Sequence, residues 1–156
     1  MVTESSKGER IRVEMAGLLA HLLADEFLLL TKTLNAQWNV EKPGFYSVRM
    51  IFIIQFRQIN EILDRIAERL QFLGFSAVVA LKQFLELSHL TETAFDEGWG
   101  ELSILELCED HRCIMNFVKS SLEPLLEDIN DERTSVFIAC LLEEHQKMVL
   151  TLIALC

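Results

Sequence analysis

Residues 46–73 read YSVRMIFIIQFRQINEILDRIAERLQFL, with neither glycine nor proline among them. Val48, Phe52, Phe56, Ile59, Leu63, Ile66, Leu70 and Leu73 return at steps of three and four, the period of one face of an α-helix. A strand would alternate every second residue instead. Near the start, Met50-Ile51-Phe52-Ile53-Ile54 sets five apolar residues in a row, which covers every side of a helix. A helix lying on a core needs only one apolar stripe. The surplus predicts burial against a second copy of the chain.

Upstream, the same rhythm runs from about Gly8 to Gln37 through Ala16, Leu19, Leu23, Phe27, Leu30 and Leu34. A further stripe at Leu18, Leu22 and Leu29 is expected to need a partner as well. Pro43-Gly44 breaks the chain between the two helices. Downstream, a long connection runs from Gly74 to about Glu101, and within it ALKQFLELSH (80–89) has the spacing of a short amphipathic helix. A third long helix is predicted from near Ser103, where Ser103 and Glu106 fit a capping box, to about Asp128. Pro124 is expected to kink or break its last turns. The fourth starts near Asn130 or Asp131 and runs to the C-terminus. These elements predict an all-α four-helix bundle with a short helix in the central connection. It forms a single domain over residues 1–156, with residues 1–8 as a flexible N-terminal segment.

Composition narrows the function classes. Of 156 residues, 51% are hydrophobic, and only six are Gly and two Pro, which leaves little turn material. Mean hydropathy is +0.26, yet no stretch reaches the ~18 consecutive apolar residues of a membrane span, so self-association is the simplest sink for the excess. The opening MVTESSKGERIRVEM has no apolar core beside a basic flank, so no secretion signal is expected. A cytoplasmic location follows as an expectation, with the four cysteines reduced. Net charge is −10, with 14 Lys and Arg against 24 acids. Lys7, Arg10 and Arg12 alternate with Glu4, Glu9 and Glu14, whereas a DNA-binding tail needs unopposed positive charge. Direct DNA binding is not expected.

LLADEFLLLTKTLNAQWNVEKPGFYSV (22–48), ILDRIAERLQFLGF (62–75), LKQFLELSHLTE (81–92), EDH (109–111) and EEHQK (143–147) together cover nearly the whole chain. In this combination the sequence resembles the Dps family of mini-ferritins, within the ferritin-like superfamily. The resemblance implies a ferritin-like bundle that assembles into a hollow, dodecameric shell through two-fold contacts of the second helix. It also implies iron binding, oxidation of iron by peroxide or oxygen, iron storage and a role in the stress response.

The family oxidises iron at a site shared by two subunits, and its ligands are two histidines, two aspartates and a glutamate. Carried over residue by residue, the histidine before the tryptophan is Gln37, the histidine early in the second helix is Arg49, and the aspartate one turn later is Ile53. Asp64 and Glu68 match. Trp38 lies next to this degenerate site and is expected to pack at a subunit interface. At 100° per residue, Arg49, Ile53, Asp64 and Glu68 share an arc of about 100° on one helix face. Arg49 and Asp64 lie roughly 22 Å apart along that helix, so they meet only if two copies pack antiparallel about a two-fold axis near Arg57. A guanidinium has no lone pair for a metal and suits bidentate pairing with carboxylates. An intersubunit salt bridge in place of iron is therefore the expectation, beside residual metal binding by Asp64 and Glu68, or two merely solvated acids. The resemblance implies a ferroxidase; this donor set leaves at most a weak one.

Other constellations carry less. Glu86-Leu-Ser-His89 is an unpaired Glu-x-x-His, so an intrachain di-iron centre is not expected. Cys108, His111, Cys113, Cys140 and His145 offer zinc-type donors, but Cys108 and Cys113 point about 140° apart on a helix, so core packing is the better reading. Cys156 is terminal and undecided, and Trp99 has no role to assign. Three functions compete: a Dps-like cage for iron storage or sequestration with its ferroxidase site largely lost, a structural or interaction subunit without iron chemistry, and a nucleoid-associated protein.

Overall fold

The computed structural model describes residues 3–40, 46–92 and 100–156; the break expected at Pro43-Gly44 and the residue Trp99 lie outside them. Two helices open the chain, α1 (Thr3–Asn39) and α2 (Tyr46–Phe72), followed by the short α3 (Leu81–Leu87) in the central connection. Helix α4 (Glu101–Phe117) passes through a π turn (Val118–Leu122) into α5 (Glu123–Ile129), and α6 (Glu132–Ile153) closes the chain. Helix α1 packs on α2, α3 and α4, while α6 packs on α4 and α2, which gives a four-helix bundle with α3 laid against α1. From Thr3 onward the segment 1–8 is helical.

The core lies along the bundle axis. Met15, Leu19, Leu22 and Leu29 meet Phe52, Ile59, Ile62 and Ile66, closed by Leu107, Ile114, Ile138, Leu141 and Leu152. Removing each such side chain from water contributes about 1.5–3 kcal/mol. Leu22 and Leu29 are fully buried within the chain, and Leu18 packs against the core. The second stripe of α1 therefore faces neighbours in its own subunit and needs no partner. The reason is position: α1 touches α2, α3, α4, α5 and the π turn, so more than one of its faces is covered. On α2 the surplus stays open, with Ile54 exposed and Met50, Ile51 and Ile53 only half-buried.

Helix ends follow local chemistry. Gly74 adopts φ 90°, and the N–H groups of Gly74 and Phe75 return to the carbonyls of Gln71 and Leu70, the closure that favours glycine after a last turn. Asp131 caps α6 by accepting from the Arg133 N–H at 3.1 Å and from the Thr134 hydroxyl. Asn130, one of the few residue types that tolerate φ 49°, makes the reversal before it. Two expectations need correction. Ser103 is the third residue of α4 rather than its cap, and its Oγ accepts from the Gly100 N–H at 3.5 Å. Pro124 does not break the helix: the wider π turn precedes it and places it in the first turn of α5, where a missing N–H costs little.

Candidate functional site

Helix α2 carries the face on which sequence reasoning placed the site. Arg49, Asp64 and Glu68 are exposed, and Ile53 is half-buried beside them. Arg57, the expected pivot, is exposed as well. Among the described residues, neither Arg49 nor Asp64 has an ion-pair partner within the chain, while Glu68 lies 3.5 Å from the Arg69 guanidinium. Gln37 and Trp38 sit at the end of α1, and the Trp38 side chain stands 66% exposed, a large apolar surface left in water. These positions do not converge within one subunit. Among the described residues, no three His, Cys, Asp or Glu side chains are placed to hold one metal ion.

Three buried polar groups sit inside the bundle, each built on a charged residue of α1 that the sequence reading did not single out. Helix α1 supplies Glu26, fully buried, whose Oε1 lies 2.6 Å from Nε2 of His145 on α6. His145 Nδ1 is 2.8 Å from Nδ1 of His111 on α4, and both rings are fully buried. With Glu26 ionised, each bond takes one direction: His145 donates Nε2–H to the carboxylate, and its Nδ1 accepts from His111. His111 Nε2 is then a buried lone pair without a partner, as is Glu26 Oε2. Burial, reinforced by the nearby His145, holds the His111 pKa well below the usual imidazole value. The expectation that both histidines are structural places them correctly in the interior, but misses the carboxylate that orients them.

The second group centres on Lys32, whose Nζ lies 2.5 Å from Asp110 Oδ2, 3.2 Å from Glu106 Oε1 and 3.1 Å from the Thr91 carbonyl. Its side chain is only 4% exposed. Burial pushes the Asp110 carboxyl up, and the Lys32 ammonium opposes that shift. The third is Asp25, fully buried, which accepts from Ser88, His89 and the His89 backbone. A signal existed for all three. Asp25, Glu26 and Lys32 are charged residues in the mainly apolar run LLADEFLLLTK (22–32), where a buried charge is retained only with a partner.

The cysteines divide. Cys108 is buried and Cys113 half-buried, each with a thiol pKa raised chiefly by burial. Cys140 and Cys156 are exposed, so core packing fails for Cys140, which opens onto the surface cavity of about 430 Å³ lined by Arg65, Arg69 and Arg133.

The ferritin-like domain family matches residues 16–156. The chain belongs to the ferritin-like family. A low temperature-induced protein of Nostoc is 30% identical over 137 residues, covering 88% of this chain and 76% of that protein. The DNA protection during starvation protein 2 of Bacillus anthracis is 28% identical over 125 residues, covering 80% of this chain and 84% of that protein. The fold of this ferritin-like chain superposes on the Dps protein of Vibrio cholerae with a TM-score of 0.86 at 23% identity, over 94% of this chain and 91% of the other. For Dps from Thermosynechococcus elongatus the TM-score is 0.87 at 18% identity, over 95% and 93%. The Dps resemblance read from the motifs therefore holds for the family and for the all-α bundle with its short connecting helix.

The five compared positions carry an amide, a guanidinium, an aliphatic side chain and two carboxylates. Gln37 offers a neutral amide, Ile53 offers nothing, and Arg49 brings a permanent positive charge with no lone pair. Imidazole and carboxylate donors are what iron needs, and only the carboxylates of Asp64 and Glu68 remain. Among the described residues, no helix is long and apolar enough to cross a membrane.

Proposed function

We propose that this chain forms a Dps-like, dodecameric cytoplasmic shell for iron sequestration and stress protection, with its ferroxidase site replaced by an intersubunit ion pair. The carrying observation is the exposed face of α2, where Arg49 and Asp64 stand unpaired in the single chain. Two antiparallel copies of α2 bring Arg49 of one subunit to Asp64 and Glu68 of the partner subunit. Met50, Ile51, Ile53 and Ile54, half-buried or exposed, and exposed Trp38 supply apolar area for the same contact. Iron then enters as cargo, attracted by acidic surface, and its oxidation is slow. Net charge −10 disfavours direct DNA binding, because phosphate contacts require clustered cations. A shell subunit without any iron chemistry is the competing reading, favoured by the loss of both imidazoles from the compared positions.

Light scattering is expected to give a particle of about twelve times 17.9 kDa. Arg49→Ala is expected to loosen the shell most at low salt, where the ion pair is least screened. Fe²⁺ added under air is expected to oxidise little faster than in buffer. Rapid oxidation that peroxide accelerates and Asp64→Ala abolishes would overturn the ion-pair reading. Anaerobic loading separates cage from scaffold: many ions per shell support storage, and none supports the structural subunit. A gel shift at low and moderate salt tests for DNA.

A further inference from the structure

Two histidines outside the proposed function meet where the chain leaving α3 crosses α1. His21 Nδ1 lies 2.8 Å from the carbonyl oxygen of Leu87, which only accepts, so this nitrogen carries the proton. His89 Nδ1 lies 2.8 Å from Asp25 Oδ2. The other oxygen of that carboxylate takes the Ser88 hydroxyl at 2.8 Å and the His89 backbone N–H at 2.6 Å. With Nδ1–H donated on both rings, the lone pair of each neutral imidazole sits on Nε2. Among the described residues neither Nε2 has a protein partner, and neither is sealed from water: His21 is half-buried, and the His89 side chain is 41% exposed.

The ring centroids are 5.3 Å apart. An ion bound to Nε2 lies about 3.2 Å from its ring centre, so two imidazoles sharing one ion at 90–110° stand roughly 4.5–5.2 Å apart. The observed pair stands just outside that range, so a bound ion would draw the rings slightly together. Phe117 packs 4.5 Å from the His89 ring and 6.3 Å from His21, so the pair is backed by a fixed wall. Capping by Asp25 alone accounts for its bonds to Ser88 and the His89 backbone. It does not account for a second histidine presenting a free lone pair alongside.

We propose that Nε2 of His21 and Nε2 of His89 bind one borderline divalent metal ion of the zinc class, with waters completing its shell. Imidazole nitrogen suits such ions. Asp25 and the Leu87 carbonyl act one bond further out, fixing tautomer and ring pose as outer partners of metal-bound histidines do. This site lies within one subunit and is separate from the compared positions on α2. It stands whether or not the chain forms a shell.

Zn²⁺ alone is titrated onto the full-length protein against a chromogenic chelator. One tight ion per chain is expected, with an absorption-edge spectrum that reports two imidazoles. His21→Gln and His89→Gln should each abolish the tight class at unchanged melting temperature. Asp25→Asn should weaken it by about 10–100-fold: an amide nitrogen facing His89 Nδ1 makes that atom an acceptor and moves the ring proton onto Nε2. Asp64→Ala should leave it unchanged. Absence of a tight Zn²⁺ class, its survival in either histidine variant, or sulfur neighbours from Cys140 or Cys156 in the edge spectrum overturns the proposal.

Discussion

At the scale of single residues, His111 sets a pH limit on the fold. Its native pKa lies below the unfolded value of about 6.5, because burial and His145 disfavour the imidazolium. Above that pH both states are neutral at this residue, and nothing is lost. Below it the unfolded chain takes a proton that the native chain refuses, so stability falls as pH drops, down to the native pKa. The slope reaches about 1.4 kcal/mol per pH unit for one proton. Thermal melts between pH 7 and pH 5 should show the decline, and His111→Gln, which can still donate to His145, should flatten it. Lys32 gives a second prediction. Lys32→Met takes the ammonium away from the buried Asp110 carboxylate, and breaking a buried pair from one side costs about 3–5 kcal/mol. Denaturant titration of wild type and variant measures it; a loss below about 1 kcal/mol would show that water already carries those charges.

At the scale of helices, the π turn and Pro124 belong together. A proline inside a regular helix costs about 3 kcal/mol. Here the wide turn over Val118–Leu122 comes first, and the Glu123 N–H reaches the Val118 carbonyl five residues back. Pro124→Ala should therefore change stability by less than about 1 kcal/mol in calorimetry. The α2 face makes the opposite kind of prediction. Restoring donors with Gln37→His, Arg49→His and Ile53→Asp together should create peroxide-accelerated Fe²⁺ oxidation, read at the ferric absorbance. Silence in an intact shell would mean that the compared positions do not meet across subunits. What was legible also sorts by element. The period of three and four revealed α2 to within a residue and found α3, since amphipathic spacing is local. The second stripe of α1 misled, because a sequence shows that a face is apolar but not whether its neighbour is in the same chain. Ser103 misled for a related reason: Gly100 starts the helix without any side chain to advertise it.

At the scale of the molecule, the candidate site was half legible. The compared positions could be numbered from motifs, and the common face of Arg49, Ile53, Asp64 and Glu68 on α2 follows from helix geometry alone. The carboxylate–histidine chain through Glu26, His145 and His111 could not, since its members are 34 and 119 residues apart in sequence and meet only through packing. A sharper reading of charged residues within apolar runs would have flagged Asp25, Glu26 and Lys32, though not their partners.

Two thiols, Cys140 and Cys156, stand open in the separate subunit while Cys108 is sealed. Reaction with a thiol reagent therefore acts as a clock for assembly: whichever of the pair a neighbouring subunit covers will slow as particles grow, and the other will keep its pace. The two rates would trace which walls of the subunit close first.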